Sequence, residues 1–316
     1  MKKYLIYLIF GLIITLIGYL FFEINLPRSP LGEEKIFLIK GGEGVKEIGA
    51  NLEKEKLVRN QYLFDFYVFL TGKTKKLQAG GYLLNPSMNI IEITKKIVSG
   101  DVIKEKITII EGWNLRDIGF YFENKGMFQA EEFWELAGSS NVGLEGYLFP
   151  DTYEIPPKIS LEDIVKKILQ NFDKKLAPYR NEISGAGLTI PEVITMASLL
   201  EKEVKTLEDK KIVAGILWKR LKNNIPLQVD ATITYITGKK TTKISKEETE
   251  IESPYNTYKY RGLPLGPICN PGIESIKAAI YPQDSLYWYY LSAPDGKTIF
   301  SKTLEEHNFA KAKFLR

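Results

Sequence analysis

The chain has 316 residues, of which 44% are hydrophobic and 26% are charged, a composition typical of a globular protein with one or two cored domains. Its formal net charge is only +4, and lysines alternate with glutamates along most of the chain, which argues against nucleic-acid binding. Because Cys269 is the only cysteine and His307 the only histidine, a Cys/His zinc site and an intrachain disulfide are excluded.

The N-terminal segment predicts a membrane anchor. Residues 4–22 contain no charge, and a helix of this length spans a hydrocarbon core of ~30 Å. Lys2 and Lys3 precede the segment and Glu23 follows it, so we expect the N-terminus in the cytoplasm and the body outside, in a single-pass protein of the cytoplasmic membrane. The alternative is a cleaved signal peptide, but the apolar run exceeds the usual ~7–15 residues and no small-x-small cleavage site follows. We assign residues 1–28 to the anchor and linker.

The next region contains two similar segments, residues 37–58 and 107–127. Each reads as a strand, a glycine turn and an amphipathic helix, and residues 36–39 form the first strand. The apolar helical positions are Val45, Ile48 and Leu52 in the first copy and Leu115, Ile118 and Phe122 in the second. Units of this kind resemble LysM modules, which bind the N-acetylglucosamine backbone of cell-wall glycans. We therefore predict a LysM-like α+β region at 29–140, with a plain spacer as the alternative.

Between the two copies, the sequence predicts one more strand and one more helix. Residues 82–84 read as the strand. The helix that follows could be capped by Ser87 or Asn89.

After residue 140 the chain carries four clusters rich in Tyr, Asn, Gln and Pro. A pyranose offers apolar C–H faces and a rim of hydroxyls, so aromatic rings beside amides and carboxyls suit a saccharide. The clusters predict a saccharide or peptide cleft in a domain at 141–316. They occupy residues 144–157, 227–235, 253–272 and 300–308.

One helix in this domain carries a candidate acid/base. Residues 190–204 follow a Thr189 cap, with Pro191 at the first helical position, where its missing N–H costs nothing. Glu201 lies on the flank of the apolar face, where small residues one turn earlier predict open space, whereas bulkier residues bracket Glu203. A carboxyl at the edge of an apolar stripe loses hydration, which raises its pKa toward the range for proton donation near neutrality. Glu201 is the predicted acid/base, with an ordinary surface charge as the alternative.

Several long motifs now identify a resemblance. The sequence is similar to the endolytic murein transglycosylase (YceG-like) family over nearly its whole length. The matching motifs are LEGYLFPDTY at 144–153, ASLLEKEV at 197–204, LQVDATITY at 227–235, SPYNTYKYRGLPLGPICNPG at 253–272 and F-S-x-T-x-x-E-H-N at 300–308. Leu265 and Cys269 are minor departures from the family pattern.

The resemblance implies a lytic transglycosylase that cuts inside peptidoglycan strands near the membrane, releasing or terminating new strands without a cofactor or metal. It places the catalytic glutamate in ASLLEKE, which we assign to Glu201. It also implies glycan strands and the glycan polymerases of the elongation machinery as partners, and no nucleic acid. The positions of this chain that match the family's motifs imply further site residues. They are Glu145, Tyr147, Glu203, Gln228, Asp230, Tyr255, Asn256, Tyr258, Gly262, Pro264 and Asn270.

Among these, Gln228, Tyr255 and Asn256 are candidates for the dipoles that stabilise an oxocarbenium-like transition state. Glu145 either holds a turn or orients Tyr147. The expected fold is α+β, with a C-terminal mixed α/β catalytic domain and a lysozyme-like helical portion at about 190–222.

Two rival functions belong to other classes. A muramidase would use Asp230 as a second carboxylate, whereas a peptidase is disfavoured because the chain has no G-x-S-x-G or H-E-x-x-H motif. A non-enzymatic wall-binding anchor or scaffold would bind glycan without cutting it.

Overall fold

A computed structural model describes residues 2–139, 143–157, 159–239 and 244–315. The chain forms two compact units. Unit 1 comprises Met1–Ile107 with Glu154–Ile159, and unit 2 comprises Thr108–Tyr153 with Ser160–Arg316. The predicted domain boundary at 140/141 lies outside the described residues. The first division between the compact units falls at residue 107, so the second strand–helix copy belongs mainly to unit 2.

Unit 1 is built on a two-stranded antiparallel sheet in which Lys35 lies opposite Leu84 and Ile39 opposite Gly80. Both strands were predicted from the sequence. Its elements are α1 (Lys2–Asn25), β1 (Lys35–Ile39), α2 (Val45–Lys54), α3 (Gln61–Leu70), β2 (Gly80–Leu84) and α4 (Ile90–Ser99). Strand β3 (Glu105–Thr108) pairs with β4 (Thr152–Ile155), and the chain crosses between the units within these two strands.

The core of unit 1 follows the predicted periodicities. Phe37 and Ile39 alternate inward along β1, and Ile48 and Leu52 lie on the inner face of α2. Asn89 is the cap of α4, where its side chain accepts the Glu92 N–H in a capping box, which resolves the choice between two candidate caps.

The apolar N-terminal sequence forms helix α1. Over the residues whose side chains are described, its apolar stretch is Ile9–Asn25, and no single helix there is long and apolar enough to cross a membrane. The bent pair Leu161–Gly185 and Ile190–Glu203 passes the length and composition test only when taken together. The transmembrane anchor stays a prediction.

Unit 2 is mainly helical. Its further elements are α5 (Leu115–Asn124), α6 (Ala130–Ser139), α7 (Leu161–Leu176), α8 (Arg180–Gly185), α9 (Ile190–Glu203), α10 (Leu207–Lys222), α11 (Asp230–Thr237), α12 (Ile273–Ile280), β5 (Tyr289–Ser292), β6 (Thr298–Ser301), α13 (Leu304–Phe314) and the 3₁₀ turns Ala177–Tyr179 and Glu248–Glu250. Strands β5 and β6 form an antiparallel hairpin.

Helix α9 is the centre of this unit. Every residue from 193 to 200 is buried, as expected for a helix that packs on all sides, and its neighbours include α10, α11 and α12. Thr189 caps the helix and Glu192 completes a capping box. Ile190 is the first helical residue, so Pro191 occupies the second position rather than the predicted first. The C-terminal end of this buried helix carries two glutamates.

Candidate active site

Glu201 and Glu203 occupy the last turn of α9 and point in different directions. Residues two apart on a helix are separated by ~200° around the axis, so the two carboxyls meet different parts of unit 2. The helix stops at Val204, whose backbone is extended, and α10 begins three residues later. The surroundings of each carboxyl decide which chemistry it can perform.

The Glu201 carboxylate is nearly buried, and both of its oxygens have a bonding partner. Its Oε1 lies 3.3 Å from the Lys210 ammonium, and the exposed fractions of these two side chains are 9% and 4%. Its Oε2 accepts hydrogen bonds from the Gly272 N–H at 3.0 Å and from the Ser275 hydroxyl at 2.6 Å. The carboxylate therefore joins α9 to α10 and to the start of α12.

The predicted open space beside Glu201 is filled. Ser198 is fully buried, and its hydroxyl accepts the Ile268 N–H at 3.0 Å. Its carbonyl accepts the Cys269 thiol at 3.4 Å. The expectation of room over Glu201 was wrong, because Ala197 and Ser198 allow the backbone of another segment to approach closely.

The Glu203 carboxyl lies in a partly buried polar cluster that includes Asp230, Tyr258 and Tyr290. Burial raises the pKa of Glu203 from 4.5 to about 7, and the nearby Asp230 carboxylate adds to the rise. Hydrogen bonding from the Tyr290 hydroxyl and the Ala231 N–H offsets part of it. A carboxyl with a pKa near neutrality can both donate and accept a proton under physiological conditions.

Asp230 is the first residue of α11 and is exposed. The Tyr258 hydroxyl donates a hydrogen bond to its Oδ1, and burial raises the pKa of Tyr258, so that the phenol stays a proton donor. The structure thus brings together Glu203, Asp230 and Tyr258, three of the predicted site residues.

Gln228 joins the same cluster through a strained backbone. Its φ of 55° lies in the left-handed region, which non-glycine residues seldom adopt outside turns and functional sites. Its N–H bonds the Thr257 carbonyl at 3.0 Å, and its Oε1 accepts the Arg220 Nη2 at 2.9 Å. Arg220 is buried and lies over the Tyr289 ring. The exposed amide of Gln228 is therefore hydrogen-bonded to a buried cation.

Glu145 belongs to a second cluster. Its side chain is 8% exposed, and its Oε2 accepts the Leu115 N–H and the Tyr235 hydroxyl, each at 3.2 Å. Its Oε1 is buried and has no hydrogen-bond partner within the described part of the chain. Burial raises the pKa of Glu145 to about 8. Tyr255 packs against Tyr235 at a tilted angle with ring centroids 5.0 Å apart, so this predicted residue is grouped with Glu145 rather than with Glu203.

Two predicted site residues lie inside the protein. Asn256 bonds the carbonyls of Thr249 and Ile251 and accepts the Tyr258 N–H. Asn270 is fully buried; its side chain donates to the Trp113 carbonyl and accepts the Leu148 N–H. These contacts favour a structural role for both asparagines over the predicted contact with substrate.

The remaining predicted site residues are Tyr147, Gly262 and Pro264. Tyr147 packs edge-on against Phe172 with centroids 5.1 Å apart. Gly262 has a φ of 99°, which explains glycine in this turn, and Pro264 is buried. His307 stacks on Tyr289, and burial lowers its pKa to about 4, which suits a packing role.

Sequence reasoning missed four residues that organise these sites: Lys210, Arg220, Ser275 and Tyr290. The only available signal was the position of Lys210 and Arg220 ten residues apart on α10, where each falls among buried apolar residues. Nothing in the local pattern distinguishes Tyr290 from its neighbouring tyrosines.

Comparison with known proteins agrees with the motifs. The YceG-like family model matches residues 37–313. A Bacillus subtilis protein named endolytic murein transglycosylase is 34% identical over 88% of this chain and 84% of its own length. A Streptococcus pneumoniae protein of the same name is 33% identical over 85% of this chain, which spans only 56% of that relative. A crystal structure of a yceG-like protein from Listeria monocytogenes superposes with a TM-score of 0.61 at 34% identity, over 89% of this chain and all of that one. The chain therefore belongs to the YceG-like family.

Proposed function

We propose that this protein is a peptidoglycan lytic transglycosylase that cuts within glycan strands and uses Glu203 as its single acid/base. The main support for this proposal is the Glu203 carboxyl, which has a pKa of about 7 and lies beside Asp230 and the Tyr258 and Tyr290 hydroxyls. The names of the Bacillus and Streptococcus relatives support murein as the substrate.

In the proposed reaction, neutral Glu203 protonates the oxygen between N-acetylmuramic acid and N-acetylglucosamine as that bond breaks. The Asp230 carboxylate, held by the Tyr258 hydroxyl, stabilises the positive charge that develops on the sugar ring. Ionised Glu203 then takes the proton of the muramyl 6-hydroxyl while its oxygen closes on C1. The products are a 1,6-anhydro end and a free 4-hydroxyl, and Glu203 is neutral again.

The motif predicted this role for Glu201, and the contacts of Glu201 favour Glu203 instead. To transfer a proton, the Glu201 carboxylate would have to leave Lys210, Gly272 and Ser275. Glu203 accepts two hydrogen bonds, from the Tyr290 hydroxyl and the Ala231 N–H, and lies close to the exposed Asp230. No ion pair among the described residues includes it. We infer that Glu201 holds the end of α9 in place.

The test compares Glu203→Gln with Glu201→Gln on purified glycan strands, with anhydromuramyl ends measured by mass spectrometry. Glutamine keeps the size of the side chain but cannot cycle a proton, so Glu203→Gln should lose at least ~10²–10⁴-fold in kcat. Glu201→Gln should retain activity in proportion to the fraction that stays folded, measured by circular dichroism. Full activity of folded Glu203→Gln would refute the assignment, and a folded but inactive Glu201→Gln would return the role to Glu201.

A muramidase is the second candidate, because Asp230 supplies a carboxylate next to Glu203. In that reaction water completes the cleavage, and the new end is a reducing sugar one water heavier than the anhydro form. The same mass spectra separate the two: reducing ends alone would establish hydrolysis.

We further propose that α1 anchors the protein in the cytoplasmic membrane with the body outside, near glycan polymerases, so that cleavage terminates elongating strands. The uncharged run at 4–22 supports the anchor. We also propose that the LysM-like region binds glycan. The strand–helix–helix–strand order of β1, α2, α3 and β2 supports this. Retention of the folded Glu203→Gln protein on purified sacculi should fall when exposed polar residues of this region are replaced, and unchanged retention would leave the region as a spacer.

A further inference from the structure

Helix α3 exposes an apolar face that the described residues of unit 1 leave uncovered. Tyr62, Phe66, Phe69 and Leu70 are 71%, 41%, 77% and 67% exposed, at spacings that place them on one side of the helix. Phe64 and Val68, on the other side, are fully buried. We call the four exposed residues the α3 face. An exposed patch of large apolar side chains on one helix is typical of an interaction surface.

The α3 face is continuous with the apolar surface of α1. Tyr62 and Phe66 line a hollow together with Tyr19 and Leu20 of α1. Leu20 lies only three residues, ~4.5 Å along the axis, before the charged Glu23. Glu23 pairs with Arg59, just ahead of α3, at 3.6 Å.

The hollow lies at the C-terminal end of the apolar part of α1. If α1 spans the bilayer, its last apolar turn lies where hydrocarbon meets headgroups, which is the level at which tyrosines concentrate. The side of α3 that carries Tyr62 and Phe66 points toward that turn, and Phe69 follows on the same side. The face therefore points toward the bilayer rather than into the surrounding water.

Positive charge accompanies this face. Lys73, Lys75 and Lys76 follow α3 directly, and Lys75 and Lys76 are exposed. Among the ion pairs of the described residues, none joins these three lysines to an acidic side chain. Aromatic residues beside unpaired lysines are the pattern of helices that lie on anionic lipid surfaces.

We propose that the α3 face inserts into the interfacial layer of the bilayer that holds α1, with Lys75 and Lys76 over anionic headgroups. This inference rests on the anchoring part of the proposed function and is independent of the chemistry at Glu203. The contact would make a second attachment point and fix the height of unit 1 above the membrane.

The test places an environment-sensitive fluorophore on single introduced cysteines of the full chain in vesicles of phosphatidylcholine and phosphatidylglycerol, with a shallow nitroxide lipid as quencher. Cys269 is buried, so the introduced cysteine is the labelled one. The probes are Phe69→Cys on the α3 face, Ile13→Cys on α1, and Lys40→Cys as the exposed control. Lys40 follows β1 at the end opposite Lys35, away from the linker.

We expect quenching at position 69 several-fold above that at position 40, with a blue-shifted emission, and a smaller difference in vesicles of phosphatidylcholine alone. Equal quenching at 69 and 40 overturns the proposal, whatever position 13 shows. If position 69 is quenched but the emission at position 13 is not blue-shifted, the α3 face binds lipid and the anchoring proposal alone fails. Quenching at 69 that is identical in both lipid mixtures refutes the role of the lysines.

Discussion

Replacing Glu201 by glutamine removes the negative charge opposite Lys210, whose side chain is 4% exposed, and leaves that ammonium without its ion-pair partner among the described residues. Glu111 is a nearby acidic group that remains. Removing one partner of a buried ion pair costs about 3–5 kcal/mol, since the other charge stays buried and uncompensated. At roughly 2–4 °C per kcal/mol for a unit of this size, the midpoint of thermal unfolding should fall by roughly 6–20 °C. Glutamine can still accept the Gly272 and Ser275 hydrogen bonds, so the loss reports the ion pair.

A double-mutant cycle measures that pair directly. Lys210→Met should destabilise by a similar amount, and the double variant should cost less than the sum of the two, with a coupling energy of about 2–3 kcal/mol. All four tryptophans, Trp113, Trp134, Trp218 and Trp288, belong to unit 2. Their fluorescence during urea unfolding therefore follows the unit that contains the pair.

The matched control is the pair of Asp173 and Arg180, also in unit 2. Its atoms are closer, at 2.9 Å, but its side chains are 67% and 49% exposed. Exposed pairs contribute about 0–1 kcal/mol, so we expect a coupling energy in that range. Additive losses at Glu201 and Lys210, or a coupling no larger than the control, would refute the structural role of Glu201.

Two further predictions concern pH. Tyr290→Phe removes a hydrogen bond that favours ionised Glu203, so the pKa of Glu203 should rise and the alkaline loss of kcat/KM should move to higher pH. Asp230→Asn removes a charge that raises the pKa of Glu203, so the same loss should move to lower pH. Shifts of the same sign in the pH–rate profiles of both variants would contradict the assignment. Burial raises the pKa of Glu145 from 4.5 to about 8, so its contribution to stability is complete below pH 4.5 and is lost as the pH rises to 8. Glu145→Gln should therefore lose less stability than the wild type across that range in urea titrations, and parallel curves would show that Glu145 does not titrate in the folded state.

The sequence predicted those features that depend on neighbouring residues. The start of α9 follows from the Thr189 hydroxyl and the proline after it, and strands β1 and β2 follow from alternating or continuous apolar residues between turns. Family motifs located the helix that carries both glutamates. These features need no knowledge of distant parts of the chain.

The choice between the two glutamates depended on distant parts of the chain. The helical wheel separates the directions of the two carboxyls but does not show what lies beyond each of them. Small residues beside Glu201 predict open space, and the structure fills that space. In a packed interior, small side chains allow a neighbouring segment to come closer, and the segment that comes here is residues 268–275. Tyr290, beside Glu203, comes from a strand almost ninety residues later in the chain.

The proximity of Glu201 and Glu203 affects how mutants at this site must be interpreted. Under the proposed assignment, both glutamine variants lose activity, but for different reasons. Loss of the Glu201 ion pair lowers the fraction of folded protein, whereas loss of Glu203 removes the proton itself. A destabilised Glu201 variant should keep the alkaline limb of its pH–rate profile, because the group that titrates is still present. A folded Glu203→Gln variant should have no such limb in its residual activity. The pH dependence of residual activity, measured together with stability, therefore distinguishes the residue that transfers the proton from the residue that holds the helix.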